Sequence, residues 1–359
     1  MKGPRRNLFM PLTPYNLLLS FAIAATEKKG EENILLLPDY NETTERALSC
    51  LSPGIPAFSA TIGAIGARKR ETSLTRPFRK IEYSRSIDRL LKTMEFDAFF
   101  SFNDLKYQSQ YAMSRASRFQ PSCRLVHVED GTADYCGVQV SGRSGLGKLF
   151  DRLVGGKWSL ELDSFGTYPL ISEYRFIFPE YATLAPRLPK DSVRGISPEG
   201  LMGLSPGEHA EKAYGKLDFE RMRGGPGSTL VLLDSEKYLK SHPEFLENLS
   251  AHIGQARSRG LKILLKKRLG SPCPLPGLEG KDDVVILPGE IPSELVLLWF
   301  REQVREVLGG KSSSLATARW LCPKIPCTCL CGFIRGESPL GRLFRNIGIR
   351  PFKDEGAPA

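Results

Sequence analysis

The sequence predicts an α/β protein made of two doubly wound, Rossmann-like domains facing each other across a cleft. Three observations carry that prediction. Short apolar runs alternate with longer segments of helical period in both halves of the chain, the pattern of a parallel sheet covered by helices. A glycine- and proline-rich stretch, Arg223-Gly-Gly-Pro-Gly-Ser228, interrupts the alternation as a linker. The chain has 359 residues, enough for two cores at about 150 residues per domain. The expected division is 1–222 for the first domain and 223–335 for the second, with a tail at 336–359 that packs back on the first.

The first half opens with a strand, Asn7–Pro11. Thr13 can cap a helix running from Tyr15 to Thr26, with Pro14 at its first position, and a second strand follows at Asn33–Leu37. The same stretch admits a secretory signal, because Lys2, Arg5 and Arg6 precede the apolar Leu8–Ala25 and Ala22-Ile-Ala24 suits a cleavage site. Pro11, Thr13, Pro14 and Asn16 break the apolar run and favour βαβ. A buried strand at Phe96–Phe102, a polar helix at Asp104–Arg118 and a short strand at Arg124–Val128 come next. Pro179–Gly207 reads as loop-rich. After the linker the expected elements are strand Ser228–Leu233, helix Pro243–Arg259, strands Leu261–Leu265 and Val284–Leu287, helix Ser293–Phe300, strand Val304–Leu308 and helix Leu315–Leu321. No other segment approaches the ~20 apolar residues of a membrane-spanning helix.

Composition narrows the function classes. Hydrophobic residues at 41% and charged residues at 25% exclude wholesale disorder, and eight cysteines are too sparse for a disulfide scaffold. The net charge of +10 is local. Arg68–Lys92 holds nine Lys/Arg against three Asp/Glu, and Arg257–Arg268 holds six Lys/Arg and no acid. Two basic blocks on a near-neutral remainder fit local anion sites better than a nucleic-acid coat, although a solvated helix face explains the first block equally well.

Candidate chemistry gathers at expected strand ends. Glu129-Asp130-Gly131 follows a strand directly, and its glycine permits a sharp turn. One carboxylate can act as general base while the other orients backbone or substrate; alternatively the group is an ordinary turn with a capping Asp. Gly309-Gly310-Lys311-Ser312-Ser313-Ser314, between a strand and a helix, offers N–H groups, hydroxyls and a cation for phosphate, or a simple serine cap. Its spacing is not that of a P-loop. Lys266-Lys267-Arg268 suits an anion at a strand end, or a solvated terminus. Cys322, Cys327, Cys329 and Cys331 have no usual zinc spacing and read as buried small residues. Among the four histidines only His242, followed by Pro243, draws attention.

In this order the motifs resemble the bacterial sialyltransferases of the polysialyltransferase and lipooligosaccharide-sialyltransferase type, inverting enzymes of the GT-B fold that use CMP-sialic acid. Leu8–Leu19 looks like that family's first strand and helix, and Glu129-Asp130-Gly131 matches its acidic-acidic-Gly motif, whose second acid is the base for the acceptor hydroxyl. Glu290-Ile-Pro-Ser-Glu-Leu295 looks like its nucleotide-binding turn, and Ser312-Ser313-Ser314 matches its phosphate-holding serines. The family carries a His-Pro motif after the strand corresponding to Leu261–Leu265; here Lys266-Lys267-Arg268 stands instead, and the one His-Pro pair lies at the start of the preceding helix.

The resemblance implies a metal-independent glycosyltransferase of bacterial surface polysaccharide or lipooligosaccharide synthesis, with no cofactor. Asp130, Glu129 and Gly131 form the catalytic group. Lys266, Lys267, Arg268, Pro292, Glu294, Ser312, Ser313 and Ser314 bind the CMP-sugar donor, and Thr13, Pro14 and Asn103 lie on the acceptor side. A cytoplasmic enzyme is expected, with a glycan acceptor, peripheral contact with an anionic membrane and no nucleic-acid partner. The apolar and basic residues of Pro339–Phe352 suit that contact or packing on the first domain. Two rivals remain: a transferase using another CMP-activated keto-sugar such as Kdo, and a non-catalytic binder of anionic glycan or nucleic acid.

Overall fold

Leu8 and Met10 face one side of strand β1 (Arg6–Met10) and Phe9 the other, and all three are buried, so a helical layer must cover each face. The computed structural model describes residues 4–38, 41–63, 76–137, 159–184, 188–205, 208–215, 221–222, 227–270, 278 and 281–352. Two layers are present there. Helices α1 (Pro14–Ala25) and α2 (Glu42–Leu51) pack together, and Phe21 of α1 meets Phe58, which in turn meets Phe9 edge-on; Phe9 stacks on Phe100 at 4.3 Å. Helices α3 (Arg76–Thr93) and α4 (Tyr107–Phe119) bring Ile87, Leu91, Met113 and Ala116 onto Leu8 and Met10. Each of the larger of these side chains contributes about 1.5–3 kcal/mol by leaving water.

With β2 (Glu32–Leu37), β3 (Ala60–Gly63), β4 (Ala98–Ser101), β5 (Arg124–Val128), β6 (Glu173–Phe176) and β7 (Val193–Gly195), β1 forms a seven-stranded sheet in the order 3-2-1-4-5-6-7. Every pairing is parallel. The order reverses between β1 and β4, which makes their carboxyl ends the place where such a sheet presents ligands. A four-residue helix, α5 (Ala133–Cys136), follows the turn after β5.

The second sheet repeats the plan. Helix α6 (Glu208–Tyr214) precedes β8 (Ser228–Leu232), α7 (Glu236–Ser241), α8 (Pro243–Ser258), β9 (Lys262–Lys266) and β10 (Val284–Leu287). Helix α9 (Ser293–Phe300), β11 (Val304–Gly309), α10 (Ser313–Leu321), β12 (Cys327–Cys329), α11 (Pro339–Asn346) and β13 (Arg350–Pro351) complete it. The six strands run 10-9-8-11-12-13, all parallel, and reverse between β8 and β11. Two Rossmann-like α/β units are therefore present.

Several expectations need correction. The compact units divide at Gly203/Leu204, ahead of the expected linker, because α6 and the next described residues belong with the second unit: Tyr214 meets Trp299 edge-on and the Arg221 carbonyl accepts from Lys262 Nζ at 2.7 Å. Residues 223–226 of that linker lie outside the described residues, as do 68–75 of the first basic block. The tail does not stand apart. Leu340, Leu343, Phe344, Ile347 and Ile349 are buried, and β13 pairs with β12, so Pro339–Phe352 builds the second unit and its apolar residues are not available to a membrane. No described helix is long and apolar enough to cross a membrane. The four cysteines Cys322, Cys327, Cys329 and Cys331 are buried, as their spacing suggested.

The expected helix from Asp104 starts only at Tyr107, since the Asp104 carboxylate is committed to the N–H groups of Gly166 and Tyr168, both at 2.9 Å. Its other end is held by Gln120, whose Oε1 accepts from Phe96 N–H at 2.8 Å while Nε2 donates to the carbonyls of Leu91 and Met94. Gln120→Ala strands these three groups and should lower stability by about 2–3 kcal/mol, read from the urea midpoint.

Candidate functional site

Three strand ends converge on Asp130. After β1, Thr13 starts α1 by accepting the Asn16 N–H on its hydroxyl at 3.1 Å, with Pro14 at the first helical position. That start delivers the fully buried Asn16. Its Oδ1 accepts from Leu12 N–H, which sets the amide, and its Nδ2 donates to Asp130 Oδ1 at 2.9 Å. After β4, Asn103 Oδ1 accepts from Leu105 N–H and its Nδ2 donates to Asp130 Oδ2 at 2.5 Å. After β5, Gly131 holds φ at 100°, which lets the chain turn immediately behind Asp130. The half-buried carboxylate thus has one amide N–H on each oxygen. Burial raises its pKa from the ordinary aspartate value, against the two amides, which favour the ionised form.

Glu129 points the other way and is fully buried. Tyr15 donates to its Oε1 at 2.6 Å, and Tyr135 and the Ile177 N–H donate to its Oε2. It ties α1, α5 and the end of β6 together around the Asp130 turn. The main-chain N–H of Asp130 donates to Asp134 Oδ2 at 2.8 Å, and Asp134 Oδ1 meets His127 Nε2 at 2.8 Å. Sequence reasoning passed over Asn16, His127 and Asp134. The spacing His127-x-x-Asp130-x-x-x-Asp134 is visible in the chain, but nothing local distinguishes a buried strand histidine from any other.

In the second unit, Asp234 lies two residues beyond the end of β8 and is a further residue the sequence reading missed. Asp234 is buried and accepts the Lys311 N–H at 3.0 Å; burial raises its pKa, while the charges of Arg268, His242 and Lys311 favour its ionised form. It lies so close over Gly310 that a Cβ there would stand 2.2 Å from Asp234 Oδ2, which explains a glycine at the start of this loop. The unmatched His-Pro pair is thereby brought to the same strand-end edge. His242 stacks on Tyr238 at 3.9 Å and its charge acts on Asp234 together with those of Arg268 and Lys311.

Ser312 caps α10 by accepting the Ser314 N–H, Ser313 is exposed, and the Ser314 hydroxyl lies 2.8 Å from that of Ser293. Pro292 starts α9, its carbonyl accepting from Leu295 and Val296. Ser293 also donates to Glu294, which is buried and whose pKa burial raises. The starts of α9 and α10 are therefore tied together. Lys266 departs from expectation. The strand runs one residue further than predicted and turns this side chain inward, where Nζ donates to the carbonyls of Lys267 and Gly289 and burial lowers its pKa to about 8. The rest of the second basic block is also partnered: Arg257 binds Asp283, Arg259 binds Glu306 and Lys262 binds the Arg221 carbonyl. Lys267 and Arg268 remain half-exposed and exposed. No group of three metal-ligating side chains occurs among the described residues.

Glu129 makes a pH prediction. Burial raises its pKa from 4.5 to about 8, so the folded state holds this proton more tightly than the unfolded chain. The stability it contributes is complete below about pH 4.5 and is lost as pH rises through 8. Between pH 5 and 8, Glu129→Gln should become progressively more stable relative to wild type, on the order of a few kcal/mol at the upper end, read as a widening Tm difference.

No protein-family model matches the chain, and no curated protein matches it in sequence. Solved structures share its fold. An α/β-galactoside α-2,3-sialyltransferase from Photobacterium phosphoreum superposes with a TM-score of 0.59 at 11% identity, covering 98% of this chain and all of that one. The UDP-GlcNAc 2-epimerase of Methanocaldococcus jannaschii, solved with UDP-GlcNAc and UDP, has a TM-score of 0.51 at 14% identity over 97% of this chain and 88% of that one. A glycosyltransferase of kitacinnamycin has a TM-score of 0.50 at 12% identity, covering 99% and 88%. The chain has the two-domain GT-B architecture that these glycosyltransferases and epimerases share.

Proposed function

We propose that this chain is an inverting glycosyltransferase that moves sialic acid from CMP-sialic acid to a glycan hydroxyl during bacterial surface polysaccharide or lipooligosaccharide synthesis. The observation that carries the reading is the Asp130 carboxylate, fixed at a strand end by Asn16 and Asn103. Asp130 takes the proton of the acceptor hydroxyl, whose oxygen attacks the anomeric carbon on the face opposite CMP. The bond from that carbon to the CMP phosphate oxygen breaks, and the phosphate keeps the electron pair. The Ser312–Ser314 helix start, Lys267, Arg268 and Lys311 neutralise the leaving phosphate, and Glu294 with Pro292 shapes the nucleoside side. On this edge His242, like the ammonium groups of Lys267 and Lys311, can also donate a proton to the leaving phosphate, which the arginine cannot. The scheme calls for no metal or other cofactor.

The fold shared with a sialyltransferase supports this reading, and so does the order of the motifs along the chain. A cytoplasmic setting, peripheral to the inner face of the membrane, follows from a donor made inside the cell and a lipid-linked acceptor. UDP-GlcNAc 2-epimerases share the same architecture, so the donor panel must include UDP-GlcNAc beside CMP-sialic acid and CMP-Kdo. Purified protein should transfer from CMP-sialic acid to galactosyl or sialyl acceptors. Asp130→Asn should lower kcat by about 100-fold or more with the donor KM unchanged. Normal transfer by that variant contradicts the base assignment. Turnover of UDP-GlcNAc with none of either CMP-sugar contradicts the reading as a whole.

A further inference from the structure

We propose that His127 and Asp134 form a buried ion pair that acts as the positioning device for Asp130, holding its main chain and offsetting the charge placed behind it. The proposal rests on the reading of Asp130 as base. Asp134 is the pivot: one carboxylate oxygen accepts the Asp130 N–H and the other meets His127 Nε2, each at 2.8 Å. Both side chains are buried, His127 completely. A carboxylate in that position, left without a counter-charge, would be costly to bury and would repel the ionised Asp130 beside it. His127 supplies the counter-charge.

The groups facing the imidazole are consistent with its carrying that charge. Asp134 comes from α5, Asp104 from the end of β4 and Asp130 from the end of β5, while Tyr174 and Phe176 on β6 pack their rings about 6 Å away. The Gly166 backbone closes over the ring, since a Cβ there would stand 3.2 Å from His127 Cδ2. Burial works against the imidazolium, yet the three carboxylates outweigh it and raise the His127 pKa above 6.5. The Nδ1 atom has no hydrogen-bond partner among the described residues, so the ring's hydrogen bonding there runs through Nε2 to Asp134. The Asp130 pKa feels both members in opposite senses, raised by Asp134 and lowered by His127.

His127→Gln separates charge from shape, because the Gln amide can still donate to Asp134. A purely structural role leaves the Asp130 titration unmoved in this variant, whereas the ion pair requires it to shift. The measurement is side-chain carboxyl 13C NMR on protein labelled with [13C]aspartate, the Asp130 signal being identified by its loss in Asp130→Asn. The Asp130 midpoint should rise by about one pH unit in His127→Gln. In parallel, the His127 ring of the wild-type protein should titrate above pH 6.5, and Asp134→Asn should lower that midpoint. A wild-type His127 already neutral at pH 6, or an Asp130 midpoint unchanged in folded His127→Gln, overturns the proposal. Because no donor is present, a failure of CMP-sialic acid transfer leaves this result standing and is told apart from it.

Discussion

The hydrogen bonds from Asn16 and Asn103 to the two oxygens of Asp130 tie three strand ends of the first unit together. They close only if the carboxyl ends of β1, β4 and β5 stand level and adjacent, which a parallel sheet reversing between β1 and β4 provides. Each amide is in turn oriented by a backbone N–H on its own oxygen, so little freedom remains at the carboxylate. Behind it, buried polar groups are paired in sequence: Asp134 with His127, Glu129 with two tyrosines, Asp104 with two N–H groups. Such a network is expensive to bury unless it is almost fully satisfied, which ties the geometry of the turn to the integrity of the whole sheet edge.

The second unit solves a related problem with opposite chemistry. Arg268, His242 and Lys311 act together on the buried carboxylate of Asp234, which holds the Lys311 N–H and so shapes the loop entering α10. The serines at that helix start then lie beside the positive end of a helix and next to exposed cations. One unit thus presents a pinned acid and the other an anion-ready edge.

Periodicity made much of this visible in the sequence. The β1–α1–β2 unit, β5, β10, α8 and α9 follow from apolar spacing, and the Asp130 and Ser312–Ser314 segments fall at strand ends as expected. What escaped detection depends on distant partners. Asn16 looked like an interruption in an apolar helix; its partner lies 114 residues away. The strand β6 carries Arg175, buried against Glu27 and Glu173, so it lacks the apolar signature of a core strand. β3 is exposed at nearly every position and β7 and β12 have three residues each. For Lys266 the error was one residue in where the strand ends, enough to exchange an outward side chain for an inward one. The basic block at 257–268 looked unpaired because Asp283 and Glu306 lie well beyond it in the chain.

Calorimetric titration of the purified protein with CMP tests the central claim most directly, because the nucleotide alone must recognise the second unit. The account predicts saturable one-to-one binding of CMP, weakened at least tenfold by Ser314→Ala with Arg268→Ala. It also predicts that UDP competes poorly. Absence of CMP binding by folded protein, or preferential binding of UDP, contradicts it.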